Sequence, residues 1–165
     1  MTRSIVEQAH DFYDAVPYEV PTPDTVPEAS LYELLDTAAR LYPDRVALDY
    51  FGATTTYAQV RDQVLRAARV LHEAGVRAGD TVAIALPNCP QAFVAFYACM
   101  RIGAVAAQHN PLAPAQEIAG QLARHGGRVA VVWEKCVDAY PLDALDTVLT
   151  VDISFAMPAS QRFLL

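Results

Sequence analysis

The sequence contains a single lysine, Lys135, and only seven glycines and three cysteines among 165 residues. Each scarcity closes off a chemistry. Lysine is the side chain most often set as a point charge against a transferring phosphoryl or adenylyl group. Here the one example follows an apolar run and neighbours Glu134, the pattern of a solvated ion pair. The glycines form neither G-x-x-x-x-G-K-[ST] nor G-x-G-x-x-G, so no phosphate cradle can be read from the chain. Gly126-Gly127 precedes an apolar run and reads as a helix stop. Cys89, Cys99 and Cys136 are far apart and odd in number, which argues against a disulfide framework or a zinc site and leaves small buried thiols.

Positive charge is also in deficit. Twelve Lys and Arg against 19 Asp and Glu leave a net charge of -7, which offers no attraction to nucleic acid or anionic lipid. The longest apolar stretch, residues 92–100, is broken by Arg101 and too short to cross a bilayer. The first residues lack the apolar core of a signal peptide, so the expected location is the cytoplasm. His10, His72, His109 and His125 do not form H-E-x-x-H, and no G-x-S-x-G elbow is present. The residues therefore assign no catalytic, cofactor-binding or metal-binding position.

What the chain does have is apolar substance. With 53% apolar and 19% charged residues it is unlike a disordered chain, and its length suits one domain with a genuine core. Residues 1–29 include VPYEVPTPDTVP, whose prolines favour an extended leader over the surface. A first helix is expected from Ser30, with Ser30 and Glu33 as a capping box and Leu31, Leu34, Leu35, Ala38 and Ala39 on one face. Pro43 stops it. Residues 46–50 and 54–56 read as a hairpin turning at 51–53 around Gly52. Thr56 and Gln59 form a second capping box, opening a helix whose apolar positions are Tyr57, Val60, Val64, Ala67 and Leu71 and which ends at Gly75.

From there strands and helices alternate. TVAIAL (81–86) is continuously apolar, as a parallel strand covered on both faces should be. Asn88 can cap the next helix, which starts near Pro90, is apolar nearly all round and must lie between layers; Gly103 closes it. Residues 104–108, 128–133 and 147–151 are further strands, 114–124 a helix, and 137–144 a short helix at most. The order predicts an α/β fold: a predominantly parallel sheet with flanking helices over residues 30–152. Residues 153–165 start a further helical segment, with Pro158 at a first helical position and Phe163, Leu164 and Leu165 as its apolar face. The pattern stops inside that element, so the expectation is a truncated piece of a longer polypeptide whose exposed apolar surface favours self-association.

Two strand ends, Leu86-Pro87-Asn88 and His109-Asn110-Pro111, fall on the same side of the sheet and make the best candidate for a ligand or domain contact. His109 ends a parallel strand, where α/β proteins build their sites; the bland alternative is a polar residue that finishes the strand. His72 and His125 lie near helix ends, where a cation is favoured by less than about 1 kcal/mol.

Taken in order, TTTYAQV (54–60), VRAGDTVAIALPNCPQAFVAFYACMRIGAV (76–105), QHNPLAPAQEI (108–118) and VDISFAMP (151–158) resemble the N-terminal part of adenylate-forming enzymes, specifically bacterial long-chain fatty acyl-CoA synthetases. The resemblance spans residue 31 to about 165. It implies a parent enzyme that uses ATP and magnesium to convert a fatty acid to an acyl-adenylate and then transfers the acyl group to coenzyme A. The phosphate loop, the acidic ligands and the catalytic lysine of that family lie beyond this portion, so the fragment alone is expected to be inactive and its partner to be the remainder of its own polypeptide. The parent is expected in the cytoplasm, with a peripheral position at the membrane open to it. Asn88, Gly103, Asn110, Pro111 and Glu117 match recurring family positions and are read as supporting turns and helix starts. Pro114 stands where the family often has threonine, which removes a cap oxygen, a change on the order of 1 kcal/mol. Three other readings stay open: a fatty acyl-AMP ligase fragment, a stand-alone interaction module of the same fold, and a small nucleotide or flavin binder by fold analogy.

Overall fold

The computed structural model describes residues 29–164. Nearly all of the expected leader, His10 and the side chains of Phe163, Leu164 and Leu165 lie outside what it describes.

Helix α1 spans Tyr32–Leu41. The Ser30–Glu33 capping box does not form: the Ser30 hydroxyl donates to the Met100 carbonyl at 2.9 Å and accepts from the Tyr32 N–H at 3.2 Å. A long-range bond has taken the cap oxygen, and the helix starts after Leu31 with no side-chain cap. Of the five apolar residues expected on one buried face, Leu35 and Ala39 are buried, whereas Leu31 and Leu34 are 49% and 65% exposed. Neighbouring elements cover only the narrower Leu35–Ala39 stripe.

Strands β1 (Val46–Tyr50) and β2 (Ala53–Thr56) pair antiparallel. Tyr50 pairs with Ala53, so the turn is two residues long, one shorter than expected. Phe51 (φ 53°) and Gly52 (φ 86°) are both left-handed, the geometry that matches the right-handed twist of a hairpin. The Gly52 N–H donates to Asp49 Oδ1 at 2.9 Å and fixes the turn.

Helix α2 (Tyr57–Glu73) follows at once, and here the capping box is complete. The Gln59 N–H donates to Thr56 Oγ1, and the Thr56 N–H donates to Gln59 Oε1. Thr56→Ala is expected to cost about 1 kcal/mol, read as a melting temperature lower by roughly 2–4 °C. Val60, Val64, Ala68 and Leu71 are buried; Ala67, expected among them, is half-buried because Ala68 points more directly inward. Past the helix, Val76 N–H donates to the Leu71 carbonyl and Gly75 N–H to the His72 carbonyl, with Gly75 left-handed as the sequence pattern requires.

The main sheet holds β3 (Thr81–Ala85), β4 (Val105–Gln108), β5 (Val129–Trp133) and β6 (Thr147–Val151). Its order is β4-β3-β5-β6 and every pairing is parallel. From β3 the chain moves through α3 (Pro90–Ile102) to β4 on one side, then through α4 (Ala115–His125) to β5 on the other. Right-handed crossovers in opposite directions put α3 and α4 on opposite faces. Side-chain alternation agrees: Val82, Ile84 and Val131 pack with Ala95, Ala98 and Cys99, while Ala83, Ala85, Ala130 and Val132 pack with Ile118 and Leu122.

No residue from Cys89 to Met100 is exposed, because α1 and α2 cover the side of α3 that the sheet does not. Its N-cap is Cys89, not Asn88, and no side chain caps it; Pro90 at the first position has no N–H to satisfy. Helix α4 likewise begins without a side-chain cap, at Pro114 with φ -60°. The segment after β5 is two 3-10 turns, Glu134–Ala139 and Leu142–Ala144, and two more, Ile153–Ala156 and Ala159–Leu164, follow β6. Pro158 directly precedes the last of these and is not its first residue. Among the described residues no helix is long and apolar enough to cross a membrane.

Candidate functional site

Strands β3 and β4 are hydrogen-bonded neighbours, so their carboxyl ends open on one edge, as the two strand-end turns imply. The hairpin β1–β2 leans over that edge. Between it and the start of α3 lies a concave site of about 520 Å³, whose aromatic wall is Tyr50, Phe93, Phe96 and Tyr97. Phe93, Phe96 and Tyr97 are three and four residues apart and so share one helix face. Their rings touch, with centroids 4.6 Å apart for Phe93–Tyr97 and 5.5 Å for Phe96–Tyr97. Asn88 and Gln108, both exposed, add amide groups to the lining, and Asp49 adds a carboxylate. Such a wall holds apolar matter beside a few polar groups.

The sequence candidates divide over this edge. Asn88 lines the cavity. Asn110 turns outward, and its Oδ1 accepts the Leu112 N–H at 3.0 Å, closing a local turn that includes Pro111. Glu117 is exposed in the first turn of α4, where a negative charge is favoured, and accepts a hydrogen bond from Gln121. Gly103 takes the left-handed position after α3. His109 is not in the cavity. It shares the parity of Ala83 and Ala85 through the Ala83–Ala107 register, so its ring points to the α4 face and is 6% exposed.

On that face His109 meets two residues the sequence did not connect to it. His125 Nε2 lies 2.9 Å from His109 Nε2, and Tyr140 Oη lies 3.2 Å from His109 Nδ1. Burial lowers the pKa of both imidazoles; the neighbouring His125 adds to the effect at His109, while at His125 a hydrogen bond to its own backbone partly opposes it and Arg124 adds to it. A cationic His125 supporting the helix dipole is therefore corrected to a neutral, half-buried ring whose Nδ1 accepts the Gly127 N–H at 3.0 Å. His72 remains in the last turn of α2, on the surface. The separations of 16 and 31 residues explain why no local pattern joined these groups.

Two of the thiols are muted by burial. Burial raises the thiol of Cys89 and pushes that of Cys99 up to about 11, so both stay protonated near neutrality. Lys135 Nζ lies 6.0 Å from the centroid of the Trp133 ring. Among the described residues no group of three His, Cys, Asp or Glu side chains could hold a metal ion. At the Gly126-Gly127 turn the backbones approach closely: a Cβ on Gly127 would sit 2.7 Å from the Thr81 carbonyl oxygen.

Comparison with known proteins gives this scaffold a context. A long-chain-fatty-acid CoA ligase of Bacillus subtilis (strain 168) is 27% identical over 160 residues, covering 93% of this chain and 28% of that protein. A 4-coumarate CoA ligase 2 of Oryza sativa subsp. japonica is 34% identical over 155 residues, covering 85% of this chain and 27% of that protein. Among solved structures, the N-terminal subdomain of Klebsiella oxytoca NpsA, in complex with anthranilyl-AMSN, superposes with a TM-score of 0.66 at 30% identity, over 73% of this chain and 30% of that one. The chain thus spans under a third of the length of the curated relatives it matches. The family model described as "AMP-binding enzyme" matches residues 35–161, from the buried stripe of α1 to the last turn after β6. With three quarters of its length matched and the same α/β scaffold, the chain belongs to the AMP-binding enzyme family.

Proposed function

We propose that this chain supplies the N-terminal scaffold of an ATP-dependent acid–CoA ligase whose acid is a fatty acid. The observation that carries the reading is the likeness to a fatty-acid CoA ligase over 93% of the chain. In the reaction, a carboxylate oxygen of the acid bonds to the α-phosphorus of ATP and pyrophosphate leaves. The thiol of coenzyme A then attacks the acyl carbon, loses its proton and displaces AMP.

Triphosphate and magnesium are left to the rest of the parent enzyme: among the described residues no group of three His, Cys, Asp or Glu side chains could hold a metal ion. No step is assigned to these residues. Their part is structural: the β3–β4 edge and the aromatic wall shape one side of a larger site, and the buried α3 keeps that edge rigid. This division predicts that the chain alone gives no fatty-acid-dependent exchange of pyrophosphate into ATP. Grafted in place of the corresponding portion of the Bacillus subtilis ligase, it should sustain exchange with palmitate. Exchange by the chain alone, or a folded graft active with 4-coumarate and silent with palmitate, would refute the reading.

A further inference from the structure

We propose that His109, His125 and Tyr140 form an acid-released latch, which holds the C-terminal end of α4 against the end of β4 only while both imidazoles are neutral. The hydrogen-bond directions follow from one end of the chain of contacts. Gly127 N–H donates to His125 Nδ1, so in the neutral ring the proton sits on Nε2. That Nε2–H donates across 2.9 Å to His109 Nε2. The His109 proton is then on Nδ1, directed at Tyr140 Oη 3.2 Å away. All these bonds point the same way, and neither ring can accept another proton without losing one. A proton on His125 Nδ1 would face the Gly127 N–H, and a proton on His109 Nε2 would face the His125 N–H.

The latch joins groups that are far apart in sequence: the end of an edge strand, the last residue of α4 and the turn after β5. At His109, 6% exposed, water cannot readily replace a lost bond. From α4 the pair feels the positive charge of Arg124, which opposes protonation of His125. From the turn after β5 it meets Tyr140, which burial pushes up to about 12, helped by Cys136, so the phenol keeps its proton. Among the described residues, no carboxylate contributes to the shift of either ring.

The sign of the pH response follows. Both imidazoles titrate below the ordinary 6.5 in the closed state. Once opened they return toward 6.5, so the open form binds more protons as the pH falls below that value. The latch holds above about pH 6.5 and weakens as the pH drops through the window down to the lowered values, by up to about tenfold per pH unit for each ring.

Nitrogen chemical shifts of the two rings at neutral pH test the assignment: His125 should carry its proton on Nε2 and His109 on Nδ1. Hydrogen-exchange protection of the Gly127 amide, corrected for the intrinsic rate, should fall roughly tenfold or more between about pH 7 and pH 5, while Val131 in β5 stays constant. His125→Asn keeps an acceptor for the Gly127 N–H and cannot titrate over that range; its Gly127 protection should lose most of the pH dependence. The opposite tautomers, ordinary titration of both rings near 6.5, or a Gly127 protection indifferent to pH would overturn the latch. Should His125→Asn not fold, the unsubstituted chain decides the matter by its tautomers and its exchange profile.

Discussion

Ile118→Ala is expected to remove about 3 kcal/mol of stability, within the roughly 2–5 kcal/mol seen when a fully buried isoleucine is cut back to alanine. Ile118 is completely buried between α4 and the sheet. The residues packed with it there include Ala83, Ala85, Ala113 and Ala130, none of which has a side chain long enough to swing into the space left behind. A cavity term therefore adds to the lost transfer energy, reduced by any relaxation of Leu122, Val132, Tyr140 and Leu145 in the same cluster. Against a typical domain stability of about 5–15 kcal/mol the loss is large. Urea denaturation should show it as a lower midpoint with an unchanged slope. Leu34→Ala is the control: at 65% exposure the same truncation should fall within about 0.5 kcal/mol. A cost below about 1 kcal/mol at Ile118 would mean that α4 does not pack on this face.

The second large effect concerns two glycines, one inside α4 and one just past it, that should respond with opposite sign. A Cβ on Gly127 would lie 2.7 Å from the Thr81 carbonyl oxygen and 2.9 Å from His125 Nδ1. The first of these atoms belongs to the backbone where β3 begins and cannot rotate away, so Gly127→Ala should cost about 2–3 kcal/mol and break the Gly127–His125 hydrogen bond. At Gly120, inside α4, a Cβ would meet nothing within 4 Å. Gly120→Ala should therefore stabilise by roughly 0.5–1 kcal/mol through higher helix propensity and a less entropic unfolded chain. Paired thermal melts read both. Equal effects at the two positions would show that the close approach of Gly127 to Thr81 is not present in solution.

Much of the architecture was legible because it is encoded locally. TVAIAL announced a strand covered on both faces, the unbroken apolar surface of QAFVAFYACMRI announced a helix between layers, and Thr56 with Gln59 announced a helix start that formed as read. Of three places where the reading failed, one yielded to a distant group and two to neighbouring residues. Ser30 has a cap sequence, yet its hydroxyl binds the Met100 carbonyl 70 residues away. Asn88 looked like a cap, but Cys89 and Pro90 start the helix and leave Asn88 on the cavity rim. The turn at Phe51 shortened by one residue because strand pairing carried Ala53 into the ladder.

The candidate site was legible as a place and not as a composition. Two successive parallel strands followed by turn residues define an edge, and His109, Asn110 and Asn88 fall on it. That Tyr50 would come to face Phe93, Phe96 and Tyr97 across that edge depends on how the hairpin packs on α3.

Local propensity and periodicity thus determined the elements, their order and the parallel α/β class, because caps, turns and apolar spacing act over a few residues and need no partner. The tertiary structure alone decided which groups meet across long loops. Strand parity sent His109 to the α4 face, and packing brought His125 and Tyr140 to it. Burial and hydrogen bonding depend on what lies on the other side of the contact, and a linear sequence does not say what that is.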